Sequence, residues 1–315
     1  MAVIGIDEGA SKTAGILLAE GRIEGRVRLR TDTSSSQAVL AGLLAACSHL
    51  MNEAASRRIE VSGIGVGVAG FIDFEAGVVT DAPNQPLHDF PIRDLLAREV
   101  GKPVCVDNDA NLAALAEARL GAGKDSRYLI HLTLGTGIGG GIVLDGRLYR
   151  GALGSAAEFG HIIIVEGGPQ CNSGHHGCLE ALASGTALYR RVEELAAGGV
   201  ESAMTEDFLK NPESFTAGDI CRHADSNDSF AIDILAEAGK HLGSGIATLV
   251  NIFNPDVVTL SGGLLECFHY MEGEMRRAYE ENAIPISRRH ARILTTALGD
   301  DGGQWGAAIL AAEGG

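Results

Sequence analysis

Residues 36–56 carry apolar side chains at Val39, Leu43, Ala46 and Leu50, the spacing of one helix face, which predicts an amphipathic helix. Three strands are read ahead of it, two of them at residues 2–6 and 14–18, and residues 63–68 form the next. Residues 91–100 read as a helix with Pro91 in its first turn, 103–106 as a short buried strand, and 110–120 as a helix. That helix leads to Gly121-Ala122-Gly123-Lys124-Asp125, a candidate hinge. The order then repeats, with strands at 128–133 and 141–144, further helices, a long helix at 230–253 stopped by Asn254-Pro255-Asp256, and a strand at 257–260. Gly299-Asp300-Asp301-Gly302-Gly303 precedes a last helix, 305–312, expected to cross back to the first half. Residues 198–229 show few periodic apolar positions. Two β-rich α/β halves around a cleft are the predicted result.

One local pattern occurs twice. Asp7-Glu8-Gly9-Ala10-Ser11-Lys12-Thr13 follows an apolar strand and precedes another, and so does Thr133-Leu134-Gly135-Thr136-Gly137-Ile138-Gly139; each copy then reaches a glycine turn, at Gly21 or Gly146. A tight glycine turn between strands exposes backbone N–H groups to an anion. A single copy would read as an ordinary hairpin, but two on two half-chains suggest one polyphosphate held by both, and so an ATP-dependent phosphotransferase. The spacing Gly135-x-Gly137-x-x-Gly140 also fits a dinucleotide fingerprint, yet that turn opens a helix, whereas residues 142–149 read as a hairpin. No Gly-x-x-x-x-Gly-Lys-Ser/Thr sequence occurs.

A chain of 315 residues, 45% hydrophobic, can bury two cores, and 43 glycines with 8 prolines suit an α/β protein rich in tight turns. A formal net charge of −16 argues against nucleic-acid or anionic-membrane partners. The first residues enter a strand without a basic leader, and no apolar stretch nears the ~18 residues of a membrane span, so a cytoplasmic location is expected. Of the cysteines at 47, 105, 171, 178, 221 and 267, only Cys171 and Cys178 are close in sequence, a metal candidate before a disulfide in a reducing compartment.

Taken together, Gly67-Val68-Ala69-Gly70-Phe71-Ile72-Asp73, Ala82-Pro83-Asn84, Asn108-Asp109-Ala110-Asn111, Glu158-Phe159-Gly160-His161, residues 177–185, Leu260-Ser261-Gly262-Gly263 and residues 298–303 resemble the ROK family of repressors, open reading frames and kinases. The likeness runs over nearly the whole chain. It implies a two-domain actin-like ATPase (ribonuclease H-like) fold, with a small domain of residues 1–118 plus 302–315 and a large domain of 119–301. It also implies transfer of the ATP γ-phosphoryl group to a hexose hydroxyl, typically the 6-hydroxyl of glucose. N-acetylglucosamine, N-acetylmannosamine, mannose and fructose are the alternative acceptors, and a sugar sensor that has lost transfer is the alternative from another class. The family's repressors carry an added N-terminal DNA-binding region, for which this chain is expected to have no room. A homodimer or tetramer is implied as well.

Asp109, just past a buried strand, is the candidate catalytic base; the competing role is a helix N-cap. By resemblance Gly70, Asn84, Asn108, Glu158, His161 and Glu180 join it at the sugar, where planar amides and carboxylates offer fixed donors and acceptors. ATP would meet Gly9, Ser11, Lys12, Thr133, Gly135, Thr136 and Gly137 at its phosphates and Gly262 and Gly263 at its adenosine, with Asp7 positioning Mg²⁺ through water.

Three departures from the family pattern stand out. Glu8 replaces an apolar residue and Ala10 a glycine, bringing a negative charge near the phosphate turn, and Ala69 replaces a proline. In the family a Cys-x-Cys-x-x-x-x-Cys stretch and the histidine of Glu-x-Gly-His hold Zn²⁺; here the matching residues are Cys171, Ser173, Cys178 and His161, one thiolate short. His175 or His176 is the expected replacement ligand.

Overall fold

In the computed structural model, which describes residues 1–314, the chain forms thirteen strands and eleven α-helices among the described residues. The first stretch contains β1 (Ala2–Glu8), β2 (Lys12–Ala19), β3 (Arg22–Arg30), α1 (Ser36–Ser56), β4 (Val61–Val68), three short strands β5 (Phe71–Asp73), β6 (Val78–Asp81) and β7 (His88–Phe90), then α2 (Ile92–Val100), β8 (Val104–Asn108) and α3 (Asp109–Arg119). There follow β9 (Leu129–Leu134), β10 (Ile138–Leu144), β11 (Arg147–Leu148), α4 (Leu179–Ala183), α5 (Gly185–Ala197), α6 (Ala203–Lys210), α7 (Ala217–Asp225) and α8 (Ser229–Phe253). The chain closes with β12 (Val257–Ser261), α9 (Phe268–Asn282), α10 (Pro285–His290), β13 (Arg292–Thr295) and α11 (Gly302–Glu313).

The first sheet, ordered β3-β2-β1-β4-β8, owes its two unlike faces to a two-residue period. In β4, Ile64, Val66 and Val68 alternate with Gly63, Gly65 and Gly67. The branched side chains join Ile4 and Ile6 of β1 and pack on Val39, Leu43 and Leu50 of α1. On the other face a Cβ at Gly5 or Gly65 would overlap the backbone of α11, so the glycines let that helix lie directly on the sheet. By length and composition α1 is apolar enough to cross a membrane, against the expectation that no stretch came near that; its apolar stripe is spent on this core.

In the second unit β9, β12 and β13 run parallel with β12 central. Helix α8 starts at Asp228, whose carboxylate accepts from the Phe230 and Ala231 amides, and stops at Asn254 in the left-handed conformation (φ 45°). Gly239 and Gly243 of α8 meet the α9 backbone at Met271 and Met275, which brings the two axes close. Residues 198–229, without a periodic pattern, nevertheless hold α6 and α7. Their signal is local: capping boxes at Ser202/Thr205 and Thr216/Asp219 satisfy the first amides.

Contacts divide the chain into Met1–Arg127, Gly141–Ala157 and Ala297–Gly315 as one unit, and Tyr128–Gly140 and Glu158–Thr296 as the other. The boundaries differ from the expected 118/119 and 301/302, and the first unit is not the smaller. The reason lies in residues 141–157. Gly141 rests on Ala110 and Ala114 of α3, Arg150 pairs with Asp107, and Gly154 lies against the Ile72 carbonyl.

Candidate active site

The first glycine turn closes where the Gly9 amide donates to the Lys12 carbonyl (3.0 Å), and Thr31 braces it by donating to the Gly9 carbonyl (2.8 Å). Ser11 is exposed at its tip. In the second turn the Gly135 amide donates to the Gly137 carbonyl (3.0 Å), while the start of α5 grips the turn through Gly185 N–H to Gly135 O (2.8 Å) and Thr186 N–H to Thr136 O (3.1 Å). Neither Gly9 nor Gly135 has positive φ, and a Cβ on either meets nothing nearer than 3.7 Å. What these glycines preserve is open space above the turn's amides.

Asp7, at the carboxyl end of β1, lies against Gly303 of α11, where a Cβ would come 2.7 Å from the carboxyl carbon. Burial pushes Asp7 up to about 7; Asp109 pushes the same way and Lys12 opposes. Asp109 itself is raised by burial, against the Ala110 amide and Asn108 that stabilise its charge. The capping role weighed for Asp109 belongs to Asn108, whose Oδ1 accepts from the Ala110 and Asn111 amides while its Nδ2 donates to the Gly70 carbonyl (3.0 Å). Asp109 is the first residue of α3, and its Oδ1 shares the Ala110 amide with Asn108 (2.9 Å), so only its Oδ2 lies outside the cap. The Asn108 amide is engaged at both ends, which leaves one Nδ2 hydrogen for any ligand. Gly70 packs so closely on Asp81 and Ala82 that a side chain would not fit, and Asn84 stands exposed on the turn that follows.

In the second unit Gly160 lies against the Ile138 carbonyl and Glu180 Cβ, and this seats the Glu158–His161 turn on the second hairpin. The His161 ring Nε2 is 3.9 Å from Glu158, and Glu180 accepts from the Ile138 amide at 3.0 Å. The structure therefore gathers Glu158, His161 and Glu180 on one unit and Asp7, Asn84, Asn108 and Asp109 on the other. Beside the second turn a groove of about 600 Å³ is lined by Gly135, Thr136, Tyr189, Phe215, Gly263 and Leu264 among others. Gly262, next to Gly263 of that lining, has φ 99°, a conformation only glycine adopts readily, and any Cβ there would overlap the Leu134 carbonyl.

Several residues of these sites gave no sequence signal. Beneath the second turn, buried His131 bonds Thr259 Oγ1 (2.9 Å) and Ser261 Oγ (2.9 Å) and reaches Thr133 Oγ1 (3.2 Å); burial holds it down at about 3, so it is neutral. Beside Asp109, fully buried Asp107 binds Arg150 at 2.7 Å and accepts from Asn111, and the Arg150 guanidinium caps the Phe74 ring at 3.7 Å. Close cysteine pairing is not confined to Cys171 and Cys178: Cys221 and Cys267, separated by 46 positions, form a disulfide between α7 and the turn before α9.

Glu8 does not face the first glycine turn as a free charge. It is wholly buried, accepts from Gln85 Nε2 at 2.9 Å, and burial pushes it up to about 7.

The ligand atoms of His161, Cys171 and Cys178 lie within 4.8 Å of one another, close enough to share one metal ion. Burial raises Cys171, but hydrogen bonds from Cys178, the Ser173 and His175 amides and His161 outweigh it and bring the thiol to about 6, while burial and that neighbour push Cys178 up to about 11. The expected fourth ligand is not with them. His176 Nδ1 is bonded to the Gly168 carbonyl (3.1 Å), the His175 ring centroid is 6.4 Å from that of His161, and Ser173 Oγ sits at the other ring nitrogen, Nε2 (3.3 Å).

Residues 3–314 match the ROK family, and the chain belongs to it. The glucokinase of Halalkalibacterium halodurans is 34% identical over 310 residues, covering 98% of this chain and 94% of that one. A ROK family glucokinase from Streptomyces griseus, solved with glucose and AMPPNP, superposes with a TM-score of 0.85 at 34% identity over 99% of this chain and 100% of its own. A ROK family transcriptional regulator superposes at 0.88 with 26% identity, over 98% of this chain and 77% of its own. The fold is accordingly that of the actin-like ATPases, with mixed α/β units.

Proposed function

We infer that the protein is an ATP-dependent hexose kinase that transfers the γ-phosphoryl group to the 6-hydroxyl of glucose. The observation that supports this most is Asp109: a half-buried carboxylate just past the carboxyl end of β8, which shares the Ala110 amide with the Asn108 cap and whose proton affinity is raised by removal from solvent. Asp109 takes the hydroxyl proton as the hydroxyl attacks. Asn84, Glu158, His161 and Glu180 hold the remaining hydroxyls, with Asn108 contributing its spare hydrogen. The two turns bind the phosphates and the groove beside Gly263 receives the adenosine. Asp7, a half-buried carboxyl with Lys12 as the cation that bears on it, would hold a Mg²⁺ ion through water, which would neutralise phosphate charge. Likeness to glucokinases, one solved with glucose and AMPPNP, favours glucose and ATP as substrates. We place the enzyme in the cytoplasm and expect a dimer or tetramer, which light scattering at micromolar concentration reads directly.

A coupled ADP-release assay over hexoses and amino sugars tests the reading, with glucose expected to give the highest kcat/KM. Sugar binding without ADP release would favour the sensor, a reading supported by relatives that include a xylose repressor 28% identical over 311 residues. Preference for an N-acetylated sugar would overturn glucose alone.

A further inference from the structure

Two polar cross-strand pairs lie side by side on one face of the second sheet. His131 of β9 stands opposite Thr259 of β12, and two residues further on Thr133 stands opposite Ser261. The inner pair is wholly buried and the outer pair half-buried. The outer pair sits at the carboxyl ends of its parallel strands, where α/β proteins bind ligands, with the Gly135 turn just beyond Thr133 and Gly262-Gly263 just beyond Ser261.

The buried imidazole is neutral, so it offers one N–H and one lone pair. Its Nδ1 meets Thr259 Oγ1 (2.9 Å), while Nε2 meets both Ser261 Oγ (2.9 Å) and Thr133 Oγ1 (3.2 Å). Among the described residues the other acceptor for the Thr259 hydroxyl is the Ile130 carbonyl at 3.5 Å, the outer limit of a hydrogen bond. Thr259 therefore donates to Nδ1, and the imidazole hydrogen falls on Nε2. From there the order runs one way: Nε2–H donates to Ser261, and the Ser261 hydroxyl donates to Thr133 Oγ1 (3.3 Å). The Thr133 hydrogen is left without an acceptor inside the ladder. The opposite tautomer would turn the Ser261 and Thr133 hydrogens inward, toward the Nε2 lone pair and each other.

We propose that His131 is a positioning residue of the second glycine turn: as the Nε2–H tautomer it fixes Ser261 and Thr133 so that the Thr133 hydroxyl points outward as a donor to the phosphates of the nucleotide. This rests on the reading of that turn as a nucleotide site.

The test uses the full chain. Thr133→Val, nearly isosteric, removes the delivered hydrogen and should raise the ATP KM about tenfold, the effect of roughly one lost hydrogen bond to a charged group. The hexose KM should stay within about twofold of the parent. His131→Leu should raise the ATP KM about fivefold, and added to Thr133→Val it should have almost no further effect, because the hydroxyl it aims is already gone. His131→Gln, whose amide reaches the place of Nε2 and can still donate to Ser261, should restore most of the loss, a rescue that filling the space with leucine does not give. An unchanged ATP KM in Thr133→Val, full addition of the two effects, or a His131→Gln enzyme as impaired as His131→Leu would overturn the positioning role. Should His131→Leu fail to fold, Thr133→Val and the tautomer decide in its place. Two-bond ¹H–¹⁵N spectra of the ligand-free protein, labelled at histidine nitrogen, read that tautomer directly at neutral pH: the hydrogen should be on Nε2, and a hydrogen on Nδ1, alone or as well, overturns the proposal. Calorimetry with AMPPNP on the same variants separates the two readings. A parent that binds AMPPNP but phosphorylates no hexose loses the kinase reading, while its variants still decide the role of His131; a parent that binds no AMPPNP loses the nucleotide site and this proposal with it.

Discussion

The two glycine turns are copies in sequence and opposites in chemistry. Around the first stand three carboxyls, Glu8 fully buried and Asp7 and Asp109 half-buried, each raised by removal from solvent. Beneath the second lies a neutral ladder, His131 with Thr133, Thr259 and Ser261, and beside it an open groove with Tyr189 and Phe215. A duplicated backbone device can thus be given to two tasks by its neighbours alone. On the proposed reading, proton transfer and metal charge would belong with the first turn, and adenosine recognition with the second.

The sharpest way to break this contrast is to remove the base. Asp109→Asn keeps size and the contact with the Ala110 amide but removes the proton acceptor, so kcat should fall about 10²- to 10⁴-fold with hexose affinity changed much less. Near-normal turnover in the purified variant would take Asp109 out of that role. At the second turn a steric change should act on binding instead. Gly262→Ala puts a Cβ onto the Leu134 carbonyl at φ 99°, a strain of about 1–3 kcal/mol. The ATP KM should rise about tenfold or more and the melting temperature should drop. An alanine enzyme with unchanged ATP KM would detach Gly262 from the nucleotide site.

Charge offers a subtler comparison. Asp7 and Glu8 both sit near 7, above their ordinary 3.8 and 4.5, so each binds its proton more tightly folded than unfolded. The sign follows: their contribution to stability is full below the ordinary carboxylate range and is lost as pH rises toward and through about 7. Thermal unfolding of the ligand-free protein between roughly pH 5 and 8 should show this fall, and Asp7→Asn should flatten it. A melting temperature no lower at pH 8 than at pH 5, or an Asp7→Asn slope equal to the parent's, would contradict burial as the cause. Saturating Mg²⁺ and nucleotide should also lessen the fall, because a cation near Asp7 favours its charged form.

Much of this arrangement is legible in the chain because it is local. The alternation of glycine with Ile64, Val66 and Val68 specifies a strand with one thin face, and the 36–56 stripe specifies the helix that covers the other. The glycine turns and the Asn108-Asp109 pair are readable for the same reason. Interactions that join distant positions are not. Arg150 meets Asp107 across 43 positions, Gln85 meets Glu8 across 77, and Cys221 meets Cys267 across 46; no periodicity announces such pairs. Helices α6 and α7 escape because their ends are set by capping boxes, which a search for apolar period overlooks. Nearness in sequence makes His175 and His176 the expected fourth metal ligand, but a hydrogen bond holds His176 to the Gly168 carbonyl.

That metal cluster gives the comparison its smallest and most specific test. His161, Cys171 and Cys178 supply three donors, with Cys171 already inclined to the thiolate. Closed structural zinc sites have four protein ligands, so a three-donor set completed by water should hold zinc in an exchangeable way. We expect close to one zinc per chain in protein purified without added metal, removable by a chelator at a concentration that leaves the fold intact. Because Cys171 faces His161 Nδ1 while Ser173 Oγ and Glu158 lie nearer Nε2, the ion would take Nδ1 and fix the imidazole, and the hexose would meet Nε2 in competition with Ser173. Chelation should therefore raise the hexose KM a few-fold, leave the ATP KM unchanged, and be reversed by zinc. Ser173→Cys, which restores the family's third thiolate, should slow metal loss. Elemental analysis well below one zinc per chain in a fully active preparation would sink the metal site and leave Cys171 and Cys178 as a thiolate–thiol pair.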